Sequence, residues 1–147
     1  VDGQTRALCA SHGLRCTKQR GQVYEALAAT KSHPTAEDLY RSVQNGEGEM
    51  SLATVYNTLE AFCSAGLCRK LPTHAGVARY DADLREHLHV VTPDGHVHDL
   101  PQDLGARMLE SIPRSLLTEV ERRIALPIRP RIADTGVLIK VRPERRR

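Results

Sequence analysis

Three helix-start signals constrain this chain more than any other feature. Thr17, Thr35 and Ser51 each precede an apolar stripe of helical period. A Ser or Thr at that place supplies the oxygen that caps the first free backbone N–H groups. After Thr17 the stripe is Val23, Leu27 and Ala28, predicting a helix to about Thr30. His33-Pro34 then interrupts the chain, because Pro34 has no N–H and its ring cannot continue a helix. Thr35-Ala-Glu-Asp38 reads as a capping-box variant and opens a stripe of Ala36, Leu39, Tyr40 and Val43. A turn over Asn45–Glu49 leads to Ser51, and Leu52, Val55, Leu59 and Phe62 form the third stripe, stopped by Gly66. Short strands follow at Leu67–Leu71 and Val77–Asp81, around the turn Thr73–Gly76. Three helices and a two-stranded hairpin make a winged helix-turn-helix over residues 1–81.

After a hinge at residues 82–86 the pattern changes. His87–Thr92 and His96–Leu100 alternate around Pro93-Asp-Gly95, which predicts a second hairpin. Gln102–Glu110 and Arg114–Ile124 have helical periodicity, Pro113 separates them, and Val137–Val141 is a last apolar strand. The tail Arg142–Arg147 reads as solvated. The fold class is therefore α+β: an N-terminal winged helix-turn-helix plus a small α/β domain over residues 87–147. Aromatic residues make up only 3% of the chain and there is no Trp. Any core rests on Leu, Val, Ile and Ala, and so small a second domain is expected to cover its apolar face by docking on a second copy of itself.

Bulk properties narrow the function classes. No apolar run approaches the roughly 18 residues of a membrane span, and Val1–Leu14 does not read as a signal peptide, so the expectation is a cytoplasmic protein without a membrane partner. The cysteines Cys9, Cys16, Cys63 and Cys68 form no C-x-x-C pair and read as four small, partly buried thiols. The net charge is +3, split almost evenly between the halves, so binding to nucleic acid has to be argued from where the charges sit.

In a helix-turn-helix the second helix of the motif enters the major groove. Here it is Ser51–Ala65. Opposite its apolar stripe lie Ser51, Ala53, Thr54 and Asn57, with Tyr56 at the edge. Asn57 can read a base edge or bond a phosphate, and Tyr56 can pack on a thymine methyl or donate to a phosphate. Arg15, Lys18 and Arg20 flank the first long helix, and Arg69 and Lys70 sit on the wing, both placed to neutralise phosphates.

A second set of residues suits a metal. His87-x-His89 puts two imidazoles on one face of a strand, and Asp99 lies on the matching face of the returning strand. Asp81 ends the wing and His33 lies in the helix-breaking turn. Three imidazoles and two carboxylates without thiolate suit Fe²⁺, Mn²⁺, Zn²⁺ or Co²⁺ and disfavour Cu⁺. Binding needs neutral His and ionised Asp, so it should weaken at acid pH. Taken alone, such histidines are as compatible with exposed or capping roles.

The segments Gly13-Leu-Arg-Cys-Thr-Lys-Gln-Arg20, His33-Pro-Thr-Ala-Glu-Asp-Leu-Tyr40, Ser51-Leu-Ala-Thr-Val-Tyr-Asn-Thr-Leu59 and Ala65-Gly-Leu67 together resemble the ferric uptake regulator family, in order and spacing, across residues 8–100. The resemblance implies a homodimeric, metal-activated bacterial repressor of palindromic double-stranded DNA operators. It implies that Tyr56 acts in the recognition helix and that Arg15 reaches the minor groove. It also implies that His33, Asp81, His87, His89 and Asp99 form one regulatory site bridging the domains, with Fe²⁺ the first choice of metal and Mn²⁺ or Zn²⁺ the others. Asp at 81 and 99, where Glu is the alternative, resembles the peroxide-sensing branch, in which ferrous iron drives oxidation of ligand histidines.

The chain departs from the family pattern in two ways. The C-x-x-C pairs that hold a structural zinc in many members are replaced near Thr92–Gly95 and Val137–Lys140, so no structural zinc is expected. An optional further site is also lost, its positions aligning with Glu86, Leu88, Ala106 and Thr135. His96 and His98 point away from the Asp99 face and read as surface or core-filling residues, while His12 and His74 carry no role. Two other readings compete: a small zinc hydrolase on the same His/Asp set, which lacks a separate general base, and a manganese- or zinc-responsive regulator of the same family. No catalytic residue is assigned.

Overall fold

The computed structural model of the chain describes residues 1–44, 50–71, 76–85, 87–92, 94–124 and 138–140. The expected turn at 45–49 and residues 73–75 of the one at Thr73–Gly76, together with Pro93, Glu86, Thr135 and the tail at 142–147, lie outside these residues. The chain forms two compact units. The first spans Val1–Leu84 and takes in Asp94–His96; the second begins at Arg85.

The first unit is the expected winged helix with one addition. Helices α1 (Gly3–Ser11), α2 (Lys18–Ala28), α3 (Ala36–Val43) and α4 (Leu52–Ala65) precede strands β1 (Arg69–Leu71) and β2 (Arg79–Asp81). The three caps work as the sequence predicts: Thr17, Thr35 and Ser51 accept from Arg20, Asp38 and Thr54 N–H groups. At Thr35 the box is reciprocal, with the Asp38 carboxylate accepting from the Thr35 N–H at 3.0 Å. Gly66 ends α4 at φ 74°, a left-handed conformation that a side chain would strain.

Helix α1 was not anticipated. Asp2 caps it, but only Thr5 and Cys9 are buried, too few apolar positions to show as a stripe. Ala28, expected in the core, is exposed at the end of α2. Both strands of the wing are shorter than their alternating segments, because only Arg69–Leu71 and Arg79–Asp81 pair, antiparallel, with Lys70 opposite Tyr80.

Helix α2 is the hub of this unit, packing on α1, α3, α4 and β2. Val23, Leu27, Val55, Leu59 and Phe62 are essentially inaccessible. Phe62 meets Tyr24 edge to face, with ring centroids 5.8 Å apart. Truncating an aromatic ring so enclosed costs about 3–5 kcal/mol, so the unit leans on its single Phe.

The second unit holds β3 (His89–Val91), β4 (Val97–Asp99), α5 (Gln102–Glu110), α6 (Arg114–Ile124) and β5 (Leu138–Lys140). The helix bounds agree with the sequence reading. The strands are cores of the predicted ones, and of Val137–Val141 the residues 138–140 are described. β3 is the centre of the sheet, antiparallel to β4 and parallel to β5. A parallel neighbour needs a long crossover, and the segment containing α5 and α6 supplies it. Leu88, Val91 and Val97 are buried. A Cβ on Gly105 would lie 3.3 Å from Leu88, which shows how closely α5 approaches the sheet. Leu104 and Met108 on α5, and Leu116 and Val120 on α6, are spaced i, i+4 and remain exposed.

Candidate metal centre and nucleic-acid interface

The first unit presents one buried His/Asp pair. His33 is 2% exposed, and its Nδ1 lies 3.8 Å from Asp81 Oδ1. The backbone at His33 has φ 49°, the left-handed region, among the described residues the one non-glycine position there. Such a conformation persists when its surroundings over-determine it. Strand β2 does so here. Arg79 donates from Nη1 to the His33 carbonyl at 2.9 Å, and the Tyr80 N–H donates to the Pro34 carbonyl at 3.0 Å. The next residue, Asp81, accepts from the Asp83 N–H at 2.8 Å through the same Oδ1 that faces His33.

The second unit presents a His/His/Asp cluster. Pairing of β3 with β4 sets His89 opposite Asp99. His87 Nε2 lies 3.1 Å and His89 Nε2 3.4 Å from the same Asp99 Oδ1. The two imidazole centroids are 4.4 Å apart. His87 Nδ1 sits 2.7 Å from the Arg85 carbonyl. A neutral ring donating there presents the Nε2 lone pair to the carboxylate, an arrangement that a shared cation, proton or metal, stabilises. His89 is fully buried and His87 nearly so, while Asp99 stays half-exposed. Imidazole nitrogens and carboxylate oxygens without sulfur are the donor set of a borderline or hard divalent ion. Among the expected ligands, the structure thus brings His33 to Asp81, and His87 and His89 to Asp99. His96 and His98 are exposed, with His96 paired to Asp94 at 2.9 Å.

The expected DNA-facing residues lie on the surface of the first unit. Arg15, Lys18, Ser51, Tyr56 and Asn57 are exposed; Arg20 and Thr54 are half-buried. Three of them are engaged locally. Arg20 donates to the Arg15 carbonyl at 2.9 Å, and the Ser51 and Thr54 hydroxyls are 2.8 Å apart at the cap of α4. The ring of Tyr56 is 42% exposed, and its hydroxyl donates to Glu37 Oε1 at 2.7 Å. That bond holds the Glu37 carboxyl below its ordinary range and pushes the Tyr56 phenol up. Sequence reasoning missed Glu37, Arg79 and the Arg85 carbonyl, since each acts by meeting a residue distant in sequence or by its backbone.

Residues 11–122 match the model of the ferric uptake regulator family. The chain is 37% identical over 79 residues to the peroxide operon regulator of Bacillus subtilis, covering 54% of each. It is 33% identical over 81 residues to the peroxide-responsive repressor PerR of Staphylococcus saprophyticus, covering 55% of each. The chain thus spans little more than half the length of these curated relatives. Among solved structures, the ferric uptake regulator from Pseudomonas aeruginosa with manganese superposes with a TM-score of 0.69 at 25% identity, over 96% of this chain and 98% of that one. A Campylobacter jejuni peroxide stress regulator shares the fold, with a TM-score of 0.59 at 24% identity over 94% of this chain and 92% of that one. The chain belongs to the ferric uptake regulator family.

Proposed function

We propose that this protein is a metal-dependent repressor of transcription, not an enzyme, that binds a double-stranded DNA operator as a homodimer. Residues 1–81 form the DNA-binding domain, 82–86 a hinge, and 87–147 the dimerising and metal-sensing domain. The observation that carries this reading is the pair of His/Asp clusters, one in each unit. Each alone offers too few donors for a closed divalent site. His33 and Asp81 on one side, and His87, His89 and Asp99 on the other, add up to a five-ligand N/O centre. A metal bridging them fixes the angle between the domains, and with it the spacing of two α4 helices in a dimer. Metal then acts by differential affinity, favouring the arrangement that fits two operator half-sites. The exposed stripes of Leu104, Met108, Leu116 and Val120 favour self-association. The metal we propose is Fe²⁺, with Mn²⁺ and Zn²⁺ as competitors, and the signal sensed is peroxide. Asp at 81 and 99 and the similarity to two peroxide regulators favour that choice.

The recognition surface makes the first prediction. With an operator selected from random duplexes by metal-loaded protein, Tyr56→Ala should cost about 1–3 kcal/mol of specific affinity. Lys18→Ala should weaken all sequences alike and flatten the salt slope by about one. Footprints unaltered by Tyr56→Ala would rule out α4 as the reading helix.

His33 is the ligand that ties the winged helix to the metal. His33→Ala keeps four of the five ligands, so calorimetry should still record metal binding, at lower affinity. The variant should lose most of the metal-induced gain in operator affinity, about 1–3 kcal/mol for such coupling, while its metal-free affinity barely changes. A metal-saturated variant that gains the full wild-type increment would defeat the bridging mechanism.

The peroxide reading predicts a covalent mark. Ferrous protein exposed to low peroxide should gain one oxygen on His33 or His87 and release the operator. Mass spectra without oxidised histidine, together with retained binding, would leave an iron- or manganese-responsive regulator in its place.

A further inference from the structure

Helix α4 ends by folding the chain sharply back on itself. Gly66, at φ 74°, donates its N–H to the Cys63 carbonyl at 3.1 Å, and the Leu67 N–H donates to the Phe62 carbonyl at 2.8 Å. This reversal returns Cys68 against the last turn of the helix, where its Sγ lies 3.4 Å from Cys63 Sγ. Both thiols are free. We propose that Cys63 and Cys68 are a reversible disulfide site, oxidised by a hydroperoxide without any metal.

The two sulfurs differ as an attacking and a resolving thiol must. Cys63 is half-buried, whereas Cys68 is 3% exposed. The Cys68 thiol hydrogen-bonds to Cys63 and stabilises a thiolate there, which lowers the Cys63 pKa and raises that of Cys68. Cys63 Sγ attacks one peroxide oxygen, the O–O bond breaks, and the departing oxygen takes a proton to leave as water or an alcohol. Cys63 is now a sulfenic acid. Cys68 loses its proton and attacks Cys63 Sγ, the S–O bond breaks, and the hydroxide leaves as water. Two thiols have lost two electrons and the peroxide has gained them. Closing the bond brings the sulfurs from 3.4 Å to about 2.05 Å. It would tie the end of α4 to the segment entering β1. Cys9 and Cys16 also hydrogen-bond to each other, but Cys9 is fully enclosed and burial pushes its thiol up, so that pair is less suited to attack.

The test uses the full chain after treatment with a chelator, so that metal-centred oxidation is out of play. The protein is exposed to hydrogen peroxide, denatured, alkylated and cut with trypsin. Residues 42–69 form one tryptic peptide that carries both cysteines and no internal Lys or Arg. The proposal expects this peptide about 2 Da lighter and without alkyl groups, with dithiothreitol restoring both sites. In Cys68→Ser, the Cys63 sulfenic acid should persist and be trapped by dimedone. In Cys63→Ser, Cys68 should stay reduced at the same dose. Both thiols fully alkylated in peroxide-treated wild type would overturn the proposal. So would a disulfide that runs to Cys9 or Cys16 instead, or a Cys63→Ser variant oxidised at Cys68 as fast as wild type. A failure of metal-dependent DNA binding would leave each of these outcomes readable.

Discussion

The winged helix depends on how strand β2 clamps the turn between α2 and α3. Three successive residues act on it. Arg79 holds the His33 carbonyl, the Tyr80 N–H holds the Pro34 carbonyl, and Asp81 faces the His33 ring. Pro34 excludes the helical path, and the reciprocal box of Thr35 and Asp38 restarts the helix at once. His33 is thereby held in a left-handed conformation that a free chain would leave. The same contacts dock the wing on the turn that follows α2 and point a buried imidazole at a buried carboxylate. In the proposed regulator, a structural clamp and half of a ligand set are thus one object. Loosening Arg79 should disturb both.

The second unit reaches a comparable result by strand register. His89 stands opposite Asp99, and a one-residue slip would turn the imidazole to the other face. Val91 and Val97, buried beside them, hold that register by their own burial. The Arg85 carbonyl orients His87 from outside the strand. Two rings thus converge on a single carboxylate oxygen. Packing of Leu88 against α5 at Gly105 supports the same sheet.

Much of the fold was legible because it follows from caps and stripes. Thr17, Thr35 and Ser51 mark three helix starts correctly, and Gly66 one end, because each satisfies backbone groups locally. Helix α1 was hidden because its buried face is Thr5 and Cys9, which do not read as apolar periodicity. Ala28 was placed inside on spacing alone, yet α2 ends there and the side chain faces out. For the site, the His-x-His alternation placed His89 on the Asp99 face, as pairing requires. The nearness of His33 to Asp81, the Tyr56–Glu37 bond and the Cys63–Cys68 approach are products of tertiary folding, and no local pattern announces them. The four cysteines read from sequence as inert, and two of them are neighbours only because a glycine reverses the chain between them.

The proposed metal centre is made of imidazole and carboxylate alone. X-ray absorption on the full chain loaded with one equivalent of Zn²⁺ tests it most directly. Such a centre should give a shell of N/O scatterers at about 2.0–2.2 Å with imidazole outer-shell features and no sulfur. A sulfur scatterer at about 2.3 Å would show that the cysteines bind the metal, and would contradict it.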